Sequence, residues 1–239
     1  MPGTEQEEGG RKMTKKRKKI IAVSAVLVIL AAAVLGGIWL YINRFIPEEY
    51  VQAVLDVSYK KQTEGYMEIT GASAEEAEQI FEDNLDLTME QFESSPMPEE
   101  LKPKYRELFA QLAGHVSYTV GEAVREEDGS FSVPVKVKPL TLFTDTYDTF
   151  RQKAQAYADQ ITDSVMKGGE MPTDEEMQAQ VYQIYYDVLS EGINGGMMYG
   201  EVQDVTLHVS RNNSGDYEIS EDDMKELDSL LIADTGDDF

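Results

Sequence analysis

Val116-Ser-Tyr-Thr-Val-Gly121 and, past a turn at Asp128-Gly129, Phe131-Ser-Val-Pro-Val-Lys-Val-Lys138 alternate apolar with polar residues. Successive side chains of a strand point to opposite faces, so Val116, Tyr118 and Val120 share one side, as do Phe131, Val133, Val135 and Val137. The pair reads as a hairpin with one buried face. Pro134 has no N–H to give a ladder, which predicts an edge strand or a bulge at that point.

On either side of this stretch the apolar period returns to about 3.6. Upstream, Pro47 suits a first helical position, and Glu48, Glu49, Lys60 and Lys61 complement the dipole, giving a helix over 47–62 with Tyr50, Val51, Val54 and Leu55 on its apolar face. Ser73 and Glu76 form a capping box ahead of Ala77, Phe81, Leu85, Met89 and Phe92. Leu101, Tyr105, Leu108 and Leu112 place a third helix over about 99–113. Pro103 lies in its first turns, where a missing donor is tolerated.

Downstream, Tyr147, Phe150, Ala154, Tyr157, Ile161 and Val165 mark a long helix that stops at Gly168-Gly169. A second capping box, Thr173 and Glu176, opens another with Met177, Val181, Ile184 and Val188 inward. The short connection pairs these two as an antiparallel hairpin. A glycine-rich loop, 192–200, leads to a second β-hairpin: Val205, Leu207 and Val209, a turn at 212–215, then Tyr217 and Ile219. Ser220 caps a last helix with Met224, Leu227 and Leu230. The fold class is α+β, helices on one face of an antiparallel sheet of about four strands. The order ααββ over 73–138 recurs over 144–219, and the matching turn exits 129–133 and 215–219 raise the expectation of an internal duplication.

The N-terminal region has another character. From Ile20 to Ile42 the chain runs 23 residues without a charge, and only Ser24, Gly36 and Gly37 fall outside the apolar set. At about 1.5 Å per residue such a helix spans a hydrocarbon core of about 30 Å. Seven basic residues precede it, whereas Arg44, Glu48 and Glu49 follow, which sets the N-terminus in the cytoplasm. A cleaved secretory signal is the alternative, but 23 apolar residues exceed the usual core of a signal peptide, about 7 to 15 residues. The expected divisions are a basic cytoplasmic tail 1–19, a transmembrane helix 20–42, an extracytoplasmic domain 47–232 and an acidic disordered tail 233–239.

Charge follows the same division. The whole chain is −24, but residues 1–19 hold seven basic and three acidic residues (+4), while 44–239 hold 14 basic and 42 acidic (−28). Acidity of that degree argues against nucleic acid as a partner. The 239 residues include no cysteine, which excludes disulfides, thiol nucleophiles, iron–sulfur clusters, the common structural zinc sites and a lipidated N-terminal cysteine.

Several phrases carry a family likeness: Thr70-Gly-Ala-Ser-Ala-Glu-Glu-Ala77, Lys104-Tyr-Arg-Glu-Leu-Phe109, Tyr118-Thr-Val-Gly-Glu-Ala123 and Val135-Lys-Val-Lys-Pro139. With the order of elements, they make residues 47–232 resemble an uncharacterised extracytoplasmic domain of Gram-positive cell-surface proteins, many of them lipoproteins. This chain departs from that pattern by using an apolar span where those have a lipobox cysteine. The resemblance implies an envelope location and no chemistry.

Chemical motifs are sparse. His115 and His208 are the two imidazoles, one at a helix-to-strand junction and one on the polar side of its strand, and neither has metal-binding spacing. Asp222-Asp223 at a helix start and Glu126-Glu127-Asp128-Gly129 at a turn are accounted for by capping and solvation. No calcium loop, nucleophile elbow, phosphate loop or dinucleotide fingerprint is present, so no catalytic residue, metal ligand or cofactor is assigned. The candidate contacts are Met197, Met198 and Tyr199 in the glycine-rich loop, and Tyr182 with Tyr186, one turn apart and opposite the apolar stripe. Their alternative use is structural, the loop tucked against the sheet and the tyrosines packed under a neighbouring helix.

The reading is a single-pass, membrane-anchored envelope module that binds a protein, a peptide or a cell-wall polymer. The alternatives are a cation or small-ligand sensor, and a cell-wall hydrolase with two carboxyl groups roughly 5 to 10 Å apart.

Overall fold

A computed structural model describes residues 45–93 and 96–233. The tail 1–19, the span 20–42 and residues 234–239 lie outside them, and among the described residues no helix is long and apolar enough to cross a membrane. The folded unit begins at Ile46.

Seven helices and five strands follow in order among the described residues: α1 (Pro47–Lys60), α2 (Glu64–Thr70), α3 (Ala74–Phe92), α4 (Lys102–Ala113), β1 (Ser117–Val120), β2 (Val124–Arg125), β3 (Phe131–Lys138), α5 (Leu142–Met166), α6 (Asp174–Gly195), β4 (Gln203–Arg211), β5 (Tyr217–Ile219) and α7 (Glu221–Leu231). Both capping boxes form: Ser73 N–H donates to Glu76 and Thr173 N–H to Glu176, each at 2.8 Å.

The two hairpins join side by side into one antiparallel sheet, β1 and β2 on one edge of β3, then β4 and β5. The joining ladder pairs Val133 with Leu207 and Val135 with Val205. Val133, Val135, Val137, Val205, Leu207 and Val209 all face inward and are buried, while Lys136, Lys138, Asp204, Thr206 and His208 stand exposed on the other face. This is the alternation expected of an antiparallel sheet with one wet side.

Helix α1 packs on β1 and β3, and α7 packs on β3 and β4. Behind α1 lie α2 and α3, so α1 has protein on two sides and buries Val51, Leu55 and Ser58 together with Ala53 and Val57. The single apolar face expected for this helix is therefore incomplete, because a helix enclosed by two layers needs small or apolar groups nearly all round.

β3 is a central strand, and the accommodation of Pro134 is the bulge. Val120 pairs with Val135 but Val124 pairs with Ser132, so Gly121, Glu122 and Ala123 oppose only Val133 and Pro134. This extra residue splits the expected strand into β1 and β2, which is why the sheet has five strands rather than four. Gly121 N–H donates to the Pro134 carbonyl at 2.8 Å, so the missing proline N–H falls on the side where the ladder is already broken. A Cβ on Gly121 would lie 3.0 Å from Pro134 Cγ and 3.2 Å from its carbonyl oxygen. Gly121→Ala is therefore expected to cost about 1–3 kcal/mol through backbone displacement at the bulge, read as a lower urea midpoint at unchanged slope.

The glycine-rich segment is also reapportioned. α6 continues to Gly195, so the loop starts at Gly196 rather than at Gly192. A Cβ at Gly192 would meet Leu142 Cδ1 at 2.6 Å and Thr146 Cγ2 at 2.9 Å. That glycine serves close approach of α6 to the start of α5, not chain reversal.

Candidate binding surfaces

An aromatic cluster fixes where the α5–α6 hairpin attaches. Phe92 of α3 packs on Tyr105 (5.0 Å between ring centroids) and Phe109 (4.9 Å) of α4, and stacks with Tyr185 of α6 at 5.9 Å. Phe150 of α5 also packs on Tyr185, with ring centroids 4.7 Å apart. Tyr105 is fully buried, and its hydroxyl donates to the Tyr182 carbonyl at 2.7 Å. Burial pushes the Tyr105 hydroxyl well above the ordinary tyrosine range and the Tyr185 hydroxyl up to about 12.

Tyr182 and Tyr186, candidate contacts on the sequence, belong to this cluster. Their rings lie 6.0 and 5.6 Å from that of Tyr105, and Tyr182 is only 9% exposed. The expected free face opposite the apolar stripe is thus covered by α4, and Tyr182 is a packing residue. Tyr186 stays half-exposed with Lys104 Nζ 5.8 Å above its ring. The opposite stripe is in turn less buried than expected, since Val181 is 39% exposed.

Beyond the cluster the hairpin projects without a third layer. In α5 only Leu142 and Thr146 are buried, and further out Tyr157 and Ile161 are half-covered. Val165 is 38%, Met166 74% and Met171 61% exposed around the tip. Two helices alone cover only the seam between them, so the outer apolar residues keep an open side.

The connection after α6 is tied by its main chain. Thr141 N–H donates to the Met198 carbonyl at 3.2 Å and Gly200 N–H to the Pro139 carbonyl at 2.9 Å. The Tyr199 hydroxyl donates to the His115 carbonyl at 2.8 Å. Met197 is half-buried, whereas Met198 and Tyr199 remain exposed. Tyr182 and Tyr186 thus pack on the ring of Tyr105, whereas Tyr199 is tied to the His115 carbonyl.

His208 lies on the solvent side of β4, where its Nδ1 and its backbone N–H both contact Asp223 Oδ2, at 2.8 and 2.7 Å. The pair ties the start of α7 to the sheet. Asp128 accepts from the Ser130 backbone and hydroxyl, which holds its carboxyl below the usual range and closes the β2–β3 turn. Among the described residues no group of three or more histidine and carboxylate side chains is arranged to hold a metal ion.

A feature the sequence did not disclose is a cleft of about 420 Å³ between the end of α1, α3 and α4. Phe81, Leu85 and Pro103 form apolar wall, and cations come from the end of α1, Lys60 and Lys61, and from α4, Arg106. Glu82 accepts from Lys61 Nζ and from Arg106, each at 2.7 Å. Those two cations hold the Glu82 carboxyl below its usual range. At the rear, the Tyr118 hydroxyl donates to Asp56 at 2.6 Å, Lys60 sits 3.9 Å over the Tyr118 ring, and the Tyr59 hydroxyl donates to Asp228. Nothing in the spacing along the chain joins Lys61 to Arg106; α3 and α4 must first fold back.

These elements define an α+β domain with an antiparallel sheet covered by helices on one face. Among solved structures it is similar to YcdA of Bacillus subtilis subsp. subtilis strain 168, a protein assigned as a lipoprotein, with a TM-score of 0.54 at 16% identity. The match covers 77% of this chain and 55% of that one, so the chain spans about half the length of the protein it matches. No known protein family matches the sequence, and no curated protein matches it.

Proposed function

We propose that the chain is a single-pass anchored module of a Gram-positive cell envelope, N-terminus in the cytoplasm and folded domain outside, that acts by binding a protein, a peptide or a cell-wall polymer. The apolar run 20–42 with its basic flank supports the anchor, and the likeness in fold to a protein assigned as a lipoprotein supports the envelope. The two ααββ stretches fit a duplicated unit, of which the second has lengthened its helices into the projecting hairpin.

The observation that carries the binding role is the outer half of α5–α6. Val165, Met166 and Met171 stand exposed together around its tip in a domain of strongly acidic composition, and large apolar groups gathered on an otherwise polar surface favour a contact site. The full chain retained on an affinity matrix is expected to capture a component of envelope extracts, and Met166→Asp with Met171→Asp to reduce that capture at least about tenfold with the melting temperature unchanged. Capture no greater than control, or capture indifferent to both substitutions, would refute the reading.

A further inference from the structure

We propose that the cleft between α1, α3 and α4 binds the free carboxylate of a short peptide, with Lys61 and Arg106 taking the carboxylate and Phe81, Leu85 and Pro103 the neighbouring apolar side chain. This site is separate from the α5–α6 surface and stands or falls independently of it.

Its size, about 420 Å³, suits a ligand of a few residues. Its charge is out of keeping with the region around it. Residues 44–239 hold three acidic residues for each basic one, yet the cleft wall has three cations, Lys60, Lys61 and Arg106, against Glu82 and Glu107. Asp56 on Lys60 and Asp86 on Arg106 stand just behind, and their repulsion grows with the charge of the guest, so a single carboxylate is opposed less than a dianion.

Lys61 itself carries the second argument. It ends α1 in the left-handed region, at φ 55° and ψ 31°, and it is the one non-glycine residue with positive φ among the described residues. Glycine is the residue that adopts this cap without cost, whereas a side chain there is disfavoured. What lysine brings in exchange is an ammonium aimed across the cleft mouth, 2.7 Å from Glu82 and 5.5 Å above the Phe81 ring.

Donors remain for a guest. Lys61 spends one of three N–H groups on Glu82, and Arg106 uses one terminal nitrogen on Glu82 and the other on Asp86, leaving further N–H groups of its fork. Glu82, a carboxylate gripped by both cations, shows that the pair accommodates this group. Phe81 and Leu85, each 6% exposed, supply a dry floor beside it.

The test uses the full chain in detergent micelles, labelled with [15N]lysine and [15N]glycine, titrated with N-acetyl-leucyl-leucine and with its C-terminal amide. The acid is expected to shift the Lys61 and Gly114 amide resonances saturably in the millimolar range, and the amide to bind at least about tenfold more weakly. Lys61→Gly keeps the helix cap and is expected to melt no lower than the parent while losing the Gly114 shift. Arg106→Gln, which retains donors without charge, is expected to weaken the acid and leave the amide unchanged. The proposal is overturned if the acid gives no saturable shift, if the amide binds equally, if inorganic phosphate saturates the same resonances at lower concentration, or if Lys61→Gly binds like the parent.

Discussion

Tyr105→Ala is expected to remove about 4 kcal/mol of stability, the largest loss from any single side chain of α4. Tyr105 is fully buried and its ring touches those of Phe92, Phe109, Tyr182 and Tyr186, so truncation opens a cavity at the point where three helices meet. A domain of this size holds about 5–15 kcal/mol in all, and a loss on that scale moves a urea midpoint far enough to be unmistakable. Tyr105→Phe separates the two contributions of the residue. It keeps the ring and removes only the 2.7 Å bond to the Tyr182 carbonyl, for an expected cost of about 1 kcal/mol. The order Ala, then Phe, then parent in midpoint is the result the packing requires. Equal midpoints for Tyr105→Ala and the parent would mean that α6 does not dock on α4 in this way.

Leu207→Ala is expected to cost about 3 kcal/mol. Leu207 is fully buried on β4, opposite Val133 in the ladder that joins the two hairpins, and α7 lies over the same strand. The neighbouring Thr206 pairs with Pro134 but faces solvent, so Thr206→Ala is expected to stay within about 0.5 kcal/mol. Denaturant unfolding of the two variants side by side thus reads which face of the joined sheet carries the core. Comparable losses from both would contradict the register.

The elements most legible in the sequence are those with local causes. Ser73 with Glu76 and Thr173 with Glu176 fix helix starts by bonds within four residues, and the alternation of Val133, Val135 and Val137 fixes the buried face of a strand without knowledge of its neighbours. Pro134 announced an irregularity and left its form open; the bulge at Gly121 needs the register with β1, which only the assembled sheet sets. Gly192 departs from its loop assignment for a related reason. A glycine is a natural loop signal, but here it relieves contact with Leu142 and Thr146, fifty and forty-six positions earlier in the chain.

The candidate contacts show the same limit. Tyr182 and Tyr186 face away from their helix's own apolar stripe, and periodicity alone assigns such a face to solvent. Burial of Tyr182 arises because Phe92 and Tyr105, from α3 and α4, pack against that face. The outer apolar residues of the α5–α6 hairpin are the converse case, a stripe with good helical spacing that lacks a third helix to cover it. The cleft was invisible because Lys61, Glu82 and Arg106 are scattered through three helices, and in a chain with 45 acidic residues an individual carboxylate draws no notice. The net charge of −24 speaks to solubility at a surface and has little to say about which carboxylate matters.

The central claim, a folded domain held outside the membrane by an uncleaved N-terminal span, is open to one direct measurement because the chain has no cysteine of its own. Ser214, exposed in the β4–β5 turn, and Thr4 in the N-terminal tail are each replaced by cysteine in the full chain, expressed in a Gram-positive bacterium, and treated on intact cells with a membrane-impermeant maleimide. The account predicts labelling at position 214 on intact cells, labelling at position 4 only after permeabilisation, and both on a band of full-length mass in the membrane fraction. Protection of position 214 on intact cells, or recovery of a shorter chain lacking position 4 from the medium, would contradict it.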